Sequence, residues 1–120
     1  MISNKINNGL NGNPIIPGDK SISHRSIIIP SISNGICEVK NFLKSDDVLN
    51  TLKALTLMGV KVEEKNNTLL IYGKGLNSLK KPNKEIYLGN SGTSARLLTG
   101  LLSSQNFNST LTGDSSLSSR

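Results

Sequence analysis

Aromatic side chains are scarce in this sequence, which has no tryptophan, two phenylalanines and two tyrosines among 120 residues. A surface that stacks nucleobases interleaves aromatic platforms with its cations. Here the lysines are scattered and no aromatics accompany them, so the formal charge of +6 reads as solvated surface. Cysteine occurs once, at Cys37. That excludes an intrachain disulfide framework and gives no zinc cluster, and its place in an apolar alternation predicts a buried, inert thiol. No run approaches the roughly 20 apolar residues of a membrane span, and Met1 to Ile16 lacks the apolar core of a signal peptide. A reducing cytoplasm is the expected compartment. Arginine is also rare, three residues against eleven lysines. A chain so sparing with the guanidinium is expected to place it where a two-pronged fork is needed.

What the sequence does contain is a set of three turn-to-helix junctions, each with one of those arginines. The first is Pro17-Gly18-Asp19-Lys20-Ser21-Ile22-Ser23-His24-Arg25. The Pro-Gly pair breaks the preceding segment, and Asp19 or Ser21 can cap a helix through Arg25. Free N–H groups of a first helical turn, the positive end of the dipole and the side chains of Lys20 and Arg25 suit a phosphate or a carboxylate. The second junction, Gly89-Asn90-Ser91-Gly92-Thr93, is lined with small residues that allow close backbone approach, and Arg96 follows one turn later. Its glycine spacing matches neither a phosphate-binding P-loop nor a dinucleotide fingerprint. The third, Gly113-Asp114-Ser115-Ser116-Leu117-Ser118-Ser119-Arg120, repeats the pattern of turn, cap and arginine.

Between these junctions the hydrophobic periods predict alternating helices and strands. Ser21 to Ile32 reads as a helix whose end near Pro30 is open, because proline removes a backbone hydrogen bond. Asn34-Gly35 predicts a turn, and residues 36–41 a strand with period-two alternation. Ser45 to Met58 is an amphipathic helix with Asp46 and Asp47 on its positive first turn and Gly59 as its stop. Val60–Glu64 and Leu69–Tyr72 predict a hairpin about Asn66-Asn67. Ile86–Leu88 is a strand, a helix follows Thr93, residues 107–112 form a strand, and Leu117 lies in a further helix. This order implies α/β layers, with a weak echo between the first two junctions. One hundred and twenty residues suit a single domain with a modest core.

The segments PGDKSISHR, SDDVLNTLKALTLMGV, LGNSGTSAR and GDSSLSSR, in this order and spacing, resemble the amino-terminal part of the EPSP synthases (3-phosphoshikimate 1-carboxyvinyltransferases). The resemblance covers Pro17 to Arg120. It implies an α/β lobe of repeated βαβαββ units, an inside-out α/β barrel with helices inside and sheets outside, of which about one and a half units would be present. Residues 1–16 would belong to the other lobe and residues 17–120 to a substrate-binding lobe truncated at its C-terminus.

The implied reaction moves the enolpyruvyl group of phosphoenolpyruvate to the 5-hydroxyl of shikimate 3-phosphate, releasing phosphate, in the pathway to chorismate and the aromatic amino acids. Carried across by motif, Lys20 would contact phosphoenolpyruvate, and Ser21 and Arg25 would hold shikimate 3-phosphate. Asn90 and Gly92 would line the phosphoenolpyruvate pocket, with Thr93 also binding substrate, Arg96 on the helix nearby and Arg120 gripping phosphoenolpyruvate. The inhibitor glyphosate would occupy that pocket. No cofactor or metal is implied, nor a nucleic-acid or membrane partner, and the complete enzyme is expected to be a monomer.

The family's proton-transfer groups lie outside this segment, which would be inactive by itself. Pro30 also departs from the good helix former usual there. His24, about 100° around the helix from Arg25, reads as a satisfied structural histidine, Asp46 and Asp47 as dipole partners and Asp114 as a cap. Two other readings compete: the related transferase acting on UDP-N-acetylglucosamine, against which the Lys20–Arg25 run argues, and a non-catalytic protein binding anions or nucleic acid, supported only by the basic balance.

Overall fold

Helix α1 spans Lys20–Ile32 in the computed structural model, which describes residues 9, 11–66 and 68–120. Its start settles the choice of cap, because Asp19 is extended and its Oδ1 accepts the Ile22 N–H at 2.7 Å. Pro30 does not end the helix, although it has no N–H to give the Ser26 carbonyl, and two hydroxyls near it bond to other carbonyls. Ser31 Oγ donates to the Ile27 carbonyl at 2.7 Å, and Ser33 Oγ donates to that of Ile29 at 2.8 Å. The expected strand or arm at residues 1–16 lies largely outside the described residues; from Asn11 to Pro17 the chain is irregular and exposed.

Strand β1, Asn34–Lys40, begins earlier than its alternation predicts. Asn34 and Gly35 pair with Lys74 and Gly73, so they open the strand and are not a free turn; Gly35 reaches φ +113° to enter it. Helix α2, Asp46–Leu57, starts at an extended Ser45 and stops at Gly59 with φ +90°. Strands β2 (Lys61–Lys65) and β3 (Thr68–Lys74) form the expected hairpin, with Asn66 at φ +50° in its turn. Asn67, the other member of that turn pair, lies outside the described residues. A single turn of 3-10 helix at Leu76–Ser78 follows.

The sheet runs β1-β3-β2 with β3 in the middle, all antiparallel. Leu69 and Ile71 of β3, with Val39 of β1, face inward onto Ile27 and Ile28 of α1 and Leu55 of α2. Period two along the strands thus meets period 3.6 along the helices in one apolar layer. Gly73 is required for this packing, because a Cβ there would run into the carbonyl oxygens of Pro30 and Ser33. Cys37 lies on the inward row opposite Ile71, yet it is half-buried and not fully enclosed as expected, since β1 is an edge strand.

A second round of elements follows. Strands β4 (Ile86–Tyr87) and β5 (Leu111–Thr112) are parallel neighbours joined by helix α3, Gly92–Leu102. The strand predicted over 107–112 is therefore reduced to its last two residues, because β4 offers only a two-residue partner. Outside that ladder, Ile86 N–H reaches Thr110 O and Leu88 N–H reaches Thr112 O, both at 2.9 Å. Helix α4, Ser115–Ser118, is one short turn capped by Asp114. The order α1-β1-α2-β2-β3, then β4-α3-β5-α4, is that of a βαβαββ unit without its opening strand among the described residues, followed by the first part of another.

Candidate functional site

The N-terminal ends of α1, α2 and α3 meet on one side of the molecule, where a cleft of about 450 Å³ is lined by Lys20, Asp47, Asn90, Gly92, Thr93, Arg96 and Arg120. Each lining group arrives by a local rule. Lys20 is the first residue of α1, held there by the Asp19 cap. Asp47 sits on the first turn of α2, where the dipole favours a carboxylate. Gly92 and Thr93 open α3 behind the Ser91 cap, whose Oγ accepts the Ser94 N–H at 3.2 Å. Arg96 follows one turn later, and Arg120 comes just past α4, its Nη2 donating to Ser116 Oγ at 3.2 Å.

Three cations therefore face a single carboxylate across the cleft. That carboxylate already has a partner, since Lys20 Nζ lies 3.0 Å from Asp47 Oδ2. The ammonium remains half exposed and available to an incoming anion. Arg96 and Arg120 also border a neighbouring recess walled by Leu88, Ala95, Leu111 and Leu117, which gives their stems apolar support. Gly92 leaves room beside the Arg120 guanidinium: a Cβ there would stand 3.1 Å from Arg120 Nη1.

Six of the eight residues singled out from the sequence thus share this cleft. Ser21 and Arg25 do not line it and are exposed on α1. At 100° per residue they lie about 100° and 140° around the helix from Lys20, so they face a different direction. Of the three arginines, Arg96 and Arg120 share the cleft and Arg25 does not, and Arg120 lies just past α4 rather than inside a helix. Asp47 was missed as a cleft residue. Its partner Lys20 lies 27 positions away, so the pairing is set only by how α2 packs against α1.

His24 is fully buried, as a structural histidine should be, and its Nδ1 lies 2.9 Å from Thr51 Oγ1. It is not fully satisfied, however, because Nε2 has no partner. Burial pushes its pKa below the ordinary histidine value; Asp47 pulls it up, and Lys20 pushes it down. The ring is therefore neutral at physiological pH. Among the described residues no group of three His, Cys, Asp or Glu side chains is close enough to hold a metal, and no helix is long and apolar enough to cross a membrane.

The family model for EPSP synthase (3-phosphoshikimate 1-carboxyvinyltransferase) matches residues 5–120. The chain belongs to the EPSP synthase family. Among curated relatives, the 3-phosphoshikimate 1-carboxyvinyltransferase of Oenococcus oeni is 54% identical over 112 residues, covering 93% of this chain and 26% of its own length. That of Ruthia magnifica is 53% identical over 116 residues, covering 97% of this chain and 27% of its own. A solved EPSP synthase from Acinetobacter baumannii superimposes with a TM-score of 0.86 at 51% identity, over 91% of this chain and 25% of that one. The chain therefore spans about a quarter of the length of these EPSP synthases, and its fold is the enolpyruvyl transferase α/β fold.

Proposed function

We propose that this chain is the amino-terminal, substrate-holding part of an enzyme that transfers the enolpyruvyl group of phosphoenolpyruvate to the 5-hydroxyl of shikimate 3-phosphate, with release of phosphate. The observation that carries the reading is the convergence of Lys20, Arg96 and Arg120 at the start of α3 with one carboxylate among them. Backbone N–H groups of a helix start and guanidinium forks together suit a dianion. In this reading Lys20, Asn90, Gly92, Thr93, Arg96 and Arg120 hold phosphoenolpyruvate. Ser21 and Arg25, on the adjoining face of α1, hold shikimate 3-phosphate. Glyphosate competes for the first of these sites.

Holding two mutually repelling anions in reacting geometry is the contribution of this segment. The acids and bases that move protons come from the remainder of the enzyme, as does the closing lobe. Residues 1–16 belong to that other lobe, a reading supported by the exposure of Ile15 (97%) and Ile16 (74%).

Calorimetry on the full-length enzyme tests the assignment. Lys20→Ala is expected to weaken phosphoenolpyruvate binding by about tenfold or more, the scale of a lost charge-assisted contact, with shikimate 3-phosphate less affected. Unchanged phosphoenolpyruvate affinity in that variant would remove Lys20 from the site.

A further inference from the structure

Beneath the cleft lies a second layer of polar side chains, each one helical turn further in than a residue of the rim. His24 follows Lys20 by four positions in α1, Thr51 follows Asp47 by four in α2, and Ser94 follows Asn90 by four at the start of α3. All three are fully enclosed at 0% exposure, and Ser91 is at 1%. They form a continuous chain. His24 Nδ1 lies 2.9 Å from Thr51 Oγ1, Thr51 Oγ1 lies 2.7 Å from Ser94 Oγ, and Ser94 Oγ donates to Ser91 Oγ at 2.7 Å. Thr51 and Ser94 also both approach the Asp47 carbonyl at 3.4 Å.

Each hydroxyl carries one proton, so the chain runs in one direction. With Ser94 donating to Ser91 at 2.7 Å, Thr51 is left to donate to Ser94 and His24 Nδ1 to donate to Thr51, the 3.4 Å approaches to the Asp47 carbonyl being the weaker use of those protons. The imidazole proton is accordingly on Nδ1, leaving Nε2 a bare lone pair. That agrees with the absence of a partner at Nε2, because an orphaned buried N–H is rarer than an orphaned acceptor. The chain ends on the serine that caps α3, one residue before Gly92.

We propose that the His24–Thr51–Ser94–Ser91 chain is a positioning device for the substrate cleft, fixing the starts of α1, α2 and α3 relative to one another so that Lys20 and Asp47 stay aligned with Asn90, Thr93 and Arg96. Apolar contacts between helices are non-directional and tolerate sliding. A buried hydrogen-bond chain has one best geometry, and breaking any link strands the groups on both sides. The device acts through the rim residues, so it rests on the reading of the cleft as the phosphoenolpyruvate site.

Steady-state kinetics on the full-length enzyme test it. Ser94→Ala removes the central hydroxyl, and alanine suits a helix, so folding is retained. The expected result is a rise of about tenfold in KM for phosphoenolpyruvate with a smaller change in kcat, the mark of misplaced binding groups. Thr51→Val keeps the shape and removes the hydroxyl, and should behave like Ser94→Ala. Thr51→Ser keeps the hydroxyl and removes the methyl, and should return KM to within about twofold of the parent. Ser94→Ala with an unchanged KM overturns the proposal, as does Thr51→Ser impaired as much as Thr51→Val. Lys20→Ala is measured alongside. If it too leaves KM unchanged, the cleft assignment falls and takes the positioning role with it; if it alone raises KM, only the positioning role falls.

Discussion

The two ends of helix α1 are built on different physics. At its C-terminal end Ile27 and Ile28 lie in the apolar layer over Leu69 and Ile71, and Gly73 lets the helix backbone settle directly on β3. At its N-terminal end the contacts are hydrogen bonds and an ion pair: Asp19 to the Ile22 N–H, Lys20 to Asp47, and His24 to Thr51. The apolar end supplies stability in proportion to area removed from water. The polar end supplies little net stability for each bond, yet it specifies direction. The candidate substrate groups stand at the polar end, where geometry matters most.

Three changes would break or sharpen this contrast. The largest effect is expected from Ile71→Ala at the centre of β3, which leaves a cavity under α1 and should destabilise by roughly 2–5 kcal/mol in chemical denaturation. Substrate affinity measured well below the melting temperature should stay close to that of the parent. A large loss of affinity without loss of stability would put the apolar end in control of the site. Gly92→Ala should show the reverse pattern. Its Cβ would press on Arg120 Nη1 from 3.1 Å, so the guanidinium must move by a few tenths of an ångström. Stability should barely change, while KM for phosphoenolpyruvate and the inhibitory constant of glyphosate should both rise, by about tenfold. An unchanged glyphosate response would take Gly92 out of that pocket.

The smallest effect is expected from pH. Burial holds the His24 pKa below 6.5, so the folded protein binds this proton less readily than the unfolded chain does. The stability associated with neutral His24 is complete above the unfolded value and declines as pH falls below it. Asp47 and Lys20 act on this ring with opposite signs, which leaves burial as the governing cause. His24→Asn should therefore flatten the fall in melting temperature between neutral pH and pH 5. Parallel curves for the two proteins would remove His24 as a contributor.

Helix α2 and the β2–β3 hairpin were legible because their signals are local and agree with one another: Asp46 and Asp47 ahead of the apolar stripe, Gly59 as a stop, and Asn66 in the turn. The junctions at Lys20 and at Asn90–Arg96 were legible for the same reason, as cap, small residues and cation lie within a few positions. Local signals misled where pairing decided the outcome. Asn34 and Gly35 have turn chemistry but found partners in Lys74 and Gly73, and residues 107–109 have strand chemistry but found none in β4, which bonds only the carbonyl of Thr110 outside the ladder. Pro30 was an ambiguous stop because proline costs a helix one hydrogen bond yet need not end it where packing holds the segment on both sides, as the burial of Ile27, Ile28 and Ser31 does here.

By itself the sequence determined the order of helices and strands, the three small-residue junctions and the family to which they belong. Those properties depend on neighbours a few positions apart, which covalent connection keeps together in any conformation. Only the tertiary structure decided that Lys20 meets Asp47, that Arg96 and Arg120 share a cleft from which Ser21 and Arg25 turn away, and that His24, Thr51 and Ser94 form one buried chain beneath it. Lys20 and Asp47 are 27 positions apart, as are His24 and Thr51, and Thr51 and Ser94 are 43 apart. Their meeting depends on how α1, α2 and α3 pack, and that is set by the shared apolar layer rather than by any motif that contains them.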